Sequence, residues 1–346
     1  VIQKSLIVIV LFLGLFCPLK AQSLRPDSLM NKFEEMGNFL LYRNHDSTYI
    51  SSYAGQLTTK LLAISKINYF RVKDNGNASS IRFRPDRKVN LGIGISYKWF
   101  ALDLAFNFGI GEQSNFENSK STDFQGAIFS SKQYISGSYQ YYYGYQYADF
   151  SGVPKEDVPN NSSRDDIRTM STVIQYLFAF NYDKFSLKAP FIQNELQRKS
   201  AGSFLIGARF HLLNIDSDSS MVPSSAKDYF NEEIYLTSIT GSSVIISVGY
   251  MYSFVFREHF YATLGLIPGI GVNLGDFKSD IKQPFVAQVS TGWSTMNAIG
   301  YNSSRFFGGI QLIADNYSFK MKKDLILNQG HGKIKFHIGY RFGSGG

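Results

Sequence analysis

The 346-residue chain reads as all-β, and specifically as a transmembrane antiparallel up-and-down β-barrel. Three observations predict this. Apolar side chains alternate with small or polar ones in segment after segment, the polar phase is Gly, Ser, Asn, Gln and Thr rather than Lys and Glu, and the last segment alternates up to an aromatic near its end. A soluble sandwich or barrel shows charge on its outer face. Small uncharged groups suit a lumen, and an aliphatic and aromatic face suits lipid. Only a closed sheet can lie in hydrocarbon, because an open edge leaves backbone N–H and C=O groups unsatisfied. Composition agrees: 30 Phe, 22 Tyr and 2 Trp stand beside only 18% charged residues, against about 25% in ordinary globular chains. At 44% hydrophobic the chain is too apolar for disorder.

At the start, Lys4, the apolar residues 6–16 and then Pro18, Leu19, Lys20 and Ala21 follow the order of a secretory signal peptide. Cleavage is expected after Ala21, removing residues 1–21. The apolar run is shorter than the roughly 20 residues a spanning helix needs, and Phe16 before Cys17 does not suit a lipoprotein signal. Cys17 is the only cysteine, so the mature chain has no disulfide, thiolate metal cluster or cysteine nucleophile. Losing Lys4 and Lys20 leaves 33 basic against 27 acidic residues, near +6. Those positive residues are scattered singly, without the patch that nucleic-acid binding requires. Residues 22–50 read as a periplasmic segment in which Asp27 or Ser28 caps a short helix carrying Leu29, Phe33, Met36 and Leu40. The barrel then takes residues 51–346, with export to a Gram-negative outer membrane as the expectation.

The first strand is expected over residues 57–72. Val89, Leu91, Ile93, Ile95 and Tyr97 then oppose Asn90, Gly92, Gly94 and Ser96, and Leu102, Leu104, Phe106 and Phe108 continue beyond a short turn at Trp99. Ile174, Tyr176, Phe178 and Phe180 repeat the pattern, as do Val244, Val248, Tyr250, Tyr252 and Phe254. Phe260, Ala262, Leu264, Leu266, Ile270 and Val272 follow, their glycine partners Gly269, Gly271 and Gly275 being lumen positions rather than a nucleotide loop, since no helix comes after them. Ile334, Phe336, Ile338, Tyr340 and Phe342 close the chain with the terminal aromatic that barrel assembly machinery reads.

Short turns are expected at Trp99, Lys132, Asp183, Arg257–Glu258 and Asn302–Ser303, and long loops at 73–87, 110–121 and 147–164. Periplasmic turns are short and outer loops long. That parity holds through a strand at 204–215 and then fails unless residues 233–239 form another strand. Accepting it predicts about fourteen strands; otherwise twelve. Residues 139–147, six Tyr in nine, read as an interfacial aromatic girdle or a sugar-stacking surface.

The residues that carry polar chemistry follow the same parity. In KFSLKAPFIQNELQRKSAGSFLIGARFH, from Lys184, a phase slip at Pro190 predicts a β-bulge. After it Gln193, Glu195 and Gln197 face the lumen, with Arg209 and His211 on the next strand and Asp103, Asp315, Lys335, His337 and Arg341 as companions. Buried charges of both signs are expected to pair. The pattern serves either a selectivity site or a structural network that plugs the barrel. A lipid hydrolase needs a serine beside a histidine with a third group orienting the ring, and parity pins no serine beside His211 or His337. No HExxH, CxxC or calcium-loop spacing occurs, so neither cofactor nor metal is expected and the chain is read as no enzyme.

The stretches DSTYI (46–50), SGSYQYYYGY (136–145), KFS with Gln193, Glu195, Gln197 and SAGS (184–203), GYN (300–302) and YRF (340–342) resemble a Bacteroidota family, domain of unknown function 4421. The resemblance implies an outer-membrane barrel and no substrate. Two readings of function stay open: a passive pore or uptake channel for small polar solutes, lined by Arg209, Lys335 and Arg341, and a structural or surface-binding barrel with a filled lumen. Outer-membrane lipid and the barrel assembly machinery are the partners either reading implies.

Overall fold

The structure, a computed structural model, describes residues 45–86, 89–97, 100–110, 119–278, 288–321 and 324–343. The expected signal peptide and the helix after it lie outside the described residues. The strands, in chain order, are β1 (Ile50–Ser52), β2 (Leu57–Asp74), β3 (Ser79–Arg84), β4 (Val89–Tyr97), β5 (Phe100–Ile110), β6 (Lys120–Phe129), β7 (Gln133–Ser151) and β8 (Ser163–Ala179). One turn of helix, α1 (Lys188–Phe191), precedes β9 (Glu195–Gln197), β10 (Ala201–Asp216), β11 (Ser238–Phe256), β12 (Phe260–Lys278), β13 (Gln288–Asn302), β14 (Phe306–Lys320) and β15 (Leu325–Phe342).

Ten of these form a closed antiparallel ring in the order β2, β3, β7, β8, β10, β11, β12, β13, β14, β15, shut by a β15–β2 ladder from Leu325↔Asp74 to Phe342↔Leu57. β3 fills the gap between β2 and β7 only at the end where the longer loops lie. At the other end, where the tight turns lie, β4 pairs with Thr58 to Ser65 of β2, β5 extends β4, and β6 pairs with the first half of β7. Among the described residues no ladder joins β5 to β6.

The period-two reading decides which face is which. Exposed apolar side chains such as Leu61 (59%), Leu264 (59%) and Ile270 (64%) alternate with buried ones along the ring, giving it an outward apolar wall. Inside, side chains cover some of the glycines. A Cβ on Gly265 would stand 2.7 Å from Met251 Cε, and one on Gly269 would stand 2.6 Å from Ile245 Cγ2, because those side chains lie across the glycines, whereas Gly126 and Gly137 face open space.

Two of the expected fourteen strands do not form, which leaves the alternative count of twelve; of these, β4, β5 and β6 lie off the closed ring and β3 joins it, giving ten. Residues 184–197, read as a strand with a bulge after a tight turn at Asp183, instead fold into the barrel: Pro190 sits in α1, and Leu187, Ala189, Phe191 and Leu196 are all buried whichever phase they hold. Residues 233–239 hold the end of a 3-10 turn (Glu232–Ile234) and only the start of β11. Removing one false strand on each side of 204–215 restores the parity that had failed there. The expected loop 73–87 contains β3, reached through a turn in which Asp74 Oδ1 accepts from the backbone N–H groups of Gly76 (2.9 Å) and Asn77 (3.2 Å).

Two apolar clusters fill the ends. At the turn end Phe185, Leu187 and Phe191 of the inward segment pack against Leu205, Met251, Ile267 and Met296 of the wall. At the loop end Met221, Val222, Phe230, Ile234 and Leu236, from the connection between β10 and β11, pack against Phe70, Phe83, Tyr145 and Phe319. The tyrosine run divides between faces. A register shift at Gly144 (φ +86) turns both Tyr142 and Tyr145 inward, while Tyr139 and Tyr141 stay outside.

Candidate functional site

The polar interior is organised in three groups along the lumen, with alternation on each strand supplying the side chains. Nearest the loop end, Arg209 of β10 pairs with Asp315 of β14 at 2.7 Å, and both bond Ser294 of β13. His331 of β15 reaches the other Asp315 oxygen at 3.3 Å, Gln175 donates to Ser294 at 3.3 Å, and the Arg209 guanidinium lies 5.0 Å over the Tyr317 ring. His211 lies tilted against Tyr317, ring centroids 4.5 Å apart, and meets Ser171 Oγ at 3.0 Å through Nε2. This corrects the expectation that no serine stands beside it. The pair is buried under Tyr317 and Phe319, and among the described residues His211 Nδ1 has no partner to orient it.

The second group lies along β2 and β15. Asp103 of β5 holds Lys60 at 2.9 Å and Lys335 at 3.1 Å, and Asp123 of β6 holds Lys66 at 3.1 Å while accepting from Gln140 and Tyr142. His337 is fully buried, and neither of its ring nitrogens has a hydrogen-bond partner among the described residues.

The third group clamps the inward segment. Glu195 takes Lys188 Nζ at 3.2 Å and Ser186 Oγ at 2.5 Å. Gln197 closes the segment on itself, accepting from Ser186 N at 2.9 Å and donating to Lys184 O at 2.6 Å. The wall supplies three more donors. Gln311 Nε2 donates to Pro190 O (2.7 Å) and Phe191 O (3.1 Å), Asn302 Nδ2 donates to Glu195 O (2.9 Å), and Arg341 donates to Gln193 O, Ser303 O and Asn302 Oδ1. Arg341 is also sandwiched 4.5 Å from the Tyr53 ring and 4.5 Å from the Phe307 ring. Gln193, with φ +60, takes the left-handed position after α1, and its N–H returns to Lys188 O at 3.0 Å.

This chain-length pattern, from the DSTYI turn to the closing YRF, is the one that the family model of DUF4421, a domain of unknown function, matches over residues 44–342. The chain belongs to DUF4421. No curated protein matches it significantly. Among solved structures this DUF4421 chain is similar to the outer membrane protease OmpT of Escherichia coli, at 8% identity over 84% of this chain and 98% of that one, with a TM-score of 0.34. It is also similar to OprG of Pseudomonas aeruginosa (11% identity, 85% and 99% covered, TM-score 0.23) and to Ail of Yersinia pestis (14%, 61% and 98%, TM-score 0.21).

Nine of the ten polar positions named from the sequence are buried, Asp103 on β5 being the exposed one, and they do not form one cluster. Arg209, His211 and Asp315 form the first group, Asp103 and Lys335 the second with His337 alongside, and Gln193, Glu195, Gln197 and Arg341 the third. Gln193, Glu195 and Gln197 get there on the inward segment, not on the wall. Sequence reasoning missed Lys60, Lys66 and Lys333, although Lys333 shares the parity that found Lys335 and His337. It also missed Gln311 and Asn302, whose roles depend on the fold of residues 184–197.

Proposed function

We propose that this DUF4421 protein is an outer-membrane barrel closed by its own segments, whose activity resides in a packed extracellular cap that binds or supports a surface structure. In this orientation the turn end is periplasmic and the loop end extracellular. The observation that carries the reading is the periplasmic segment 184–197 held in the lumen by Gln311, Asn302 and Arg341. An eight-stranded barrel just accommodates its own side chains, so a ring of ten needs added filling, and this segment supplies it. The cap is bonded as firmly: Arg164 donates to Ser219 O, Ser220 O and Met221 O, and Asn231 N donates to Asp74 Oδ2 at 2.8 Å.

The competing reading is a passive pore for small polar solutes, and the polar interior favours it. That reading requires Arg209, Lys335 and Arg341 to line water, whereas each is engaged in the bonds described above. We read the protein as no enzyme, since the Ser171–His211 pair is sealed beneath aromatic rings. A cleaved signal peptide, delivery by the assembly machinery and a lipid-embedded wall complete the proposal. Purified, folded protein in planar bilayers tests it: a silent membrane is expected, and steady conductance whose ion preference changes on Arg209→Glu refutes closure and establishes the pore.

A further inference from the structure

We propose that the seam between β5 and β6 is a lateral binding site for one anionic phospholipid, with its phosphate drawn to Lys333 and its acyl chains on the outer wall. The seam is the one break in the wall found among the described residues: β5 pairs only with β4 and β6 only with β7. Backbone groups on those facing edges cannot stand unsatisfied in hydrocarbon. A polar headgroup placed between them meets that need, because phosphate oxygens accept from edge N–H groups.

Charge behind the seam selects the sign of the headgroup. Lys333 stands directly opposite Lys66 in the β2–β15 register, an arrangement of like charges that disfavours pairing. Lys335 is two residues along on the same face, and Lys60 joins it through Asp103. Against these four lysines stand two aspartates, Asp103 and Asp123, both engaged with other lysines, and among the described residues Lys333 has no ion pair. An enclosed ammonium without a counterion is costly. Lys333 lines a chamber of about 40 Å³ with His331, Asp315, Gln125, Gly126, Ser136 and Ser138, of which Asp315 is already engaged by Arg209 and His331 and the Ser138 hydroxyl is buried without a partner. The volume suits a small polar group, not a whole lipid. Gln125 and Gly126 belong to β6, so the strand that forms one side of the seam also bounds the chamber.

The other half of the ligand has a place outside. A groove of about 900 Å³ runs from β5 across the wall, lined by Leu61, Ile93, Ile95, Leu102, Leu104 and Phe336. Its apolar lining begins at the same β5 edge that bounds the seam, which joins an acyl-chain surface to a cationic chamber.

The test uses the full chain, purified in a zwitterionic detergent, checked for folding by heat-modifiable migration, and read by native mass spectrometry. One phosphatidylglycerol per barrel is expected to be retained at least about tenfold better than phosphatidylcholine, equivalent to about 1.4 kcal/mol. Lys333→Gln should abolish that preference, Lys333→Arg should keep it, and Lys155→Gln in the outer loop should leave it untouched. Equal retention of the two lipids overturns the proposal, as does phosphatidylglycerol binding indifferent to Lys333→Gln. Displacement by millimolar inorganic phosphate identifies a free-anion site instead, and a lipid-free dimer identifies a second copy as the cover of the two edges; either result also overturns it.

Discussion

Replacing Arg341 by Met isolates the latch that holds the inward segment in the lumen. The side chain is 1% exposed and donates to Gln193 O on the segment and to Ser303 O and Asn302 Oδ1 on the wall, with an aromatic ring on each side. A hydrogen bond from a charged donor contributes about 1.5–3 kcal/mol, and a desolvated cation–π contact about 2 kcal/mol. Met keeps the packing volume and loses both kinds of contact. Because neighbouring contacts do not add and the acceptors left behind are neutral oxygens, the net loss is about 3–5 kcal/mol, the size of about two charge-assisted hydrogen bonds. Only part of it falls on the segment, since two of the three acceptors are wall groups.

Assigning about 3 kcal/mol to the docked state raises the undocked population by about two orders of magnitude. Trypsin reads that population directly when docking is fast relative to cleavage. Lys188 is buried and paired with Glu195 in the docked segment, so the wild type resists cleavage there. Arg341→Met should be cut at Lys188 about 100-fold faster, while the heat-modifiable band of the intact barrel persists. The same variant should show brief conductance steps in planar bilayers. Gln311→Leu, which removes two neutral hydrogen bonds to Pro190 O and Phe191 O, should do less, about tenfold at roughly 1 kcal/mol net per bond. A double variant that stays folded, protected at Lys188 and silent refutes the latch.

Three further outcomes are expected. Leu264→Arg, on the outer apolar face proposed to meet lipid and 59% exposed, should cost about 2–4 kcal/mol in reversible unfolding from lipid vesicles; a cost under about 0.5 kcal/mol would place that face against water or protein. Glu258→Gly, relieving a left-handed residue (φ +63) in the β11–β12 turn, should raise stability by about 0.5–1 kcal/mol in the same assay, and a loss would mean that the side chain itself supports the turn. In the cap, the Tyr229 hydroxyl donates to Asp157 at 2.7 Å, a bond that raises its pKa above 10.0. A raised folded pKa means the contact is fully present below the unfolded value and is lost as pH rises through the folded one. Protease cleavage at Lys227 should therefore stay constant up to about pH 10 and accelerate above it, and Tyr229→Phe should remove the transition.

What the sequence disclosed was governed by alternation, and alternation reports a face only where a strand has two different sides. Along β12, Leu264, Leu266 and Ile270 face outward and are exposed while Thr263, Gly265 and Ile267 face the lumen, so the pattern is unambiguous and the wall was legible. Residues 185–197 are buried but for the half-buried Ile192. Leu187, Ala189 and Phe191 are buried, and so are Lys188, Pro190, Gln193, Glu195 and Gln197, which leaves no polar phase against which to read a period. A one-turn helix with a left-handed cap at Gln193 then mimics a strand that slips by one residue at Pro190. The polar partners were legible by type but not by grouping, because ladder parity places Arg209, Lys335 and Arg341 on the same inner face without giving their height in the barrel. Height depends on register, and register shifts at Gly144 of β7 and at the β3–β7 junction move side chains between levels without changing composition. The same consideration explains Lys333: its parity was readable, but its isolation was not, since that depends on Asp103 and Asp123 reaching the other lysines first.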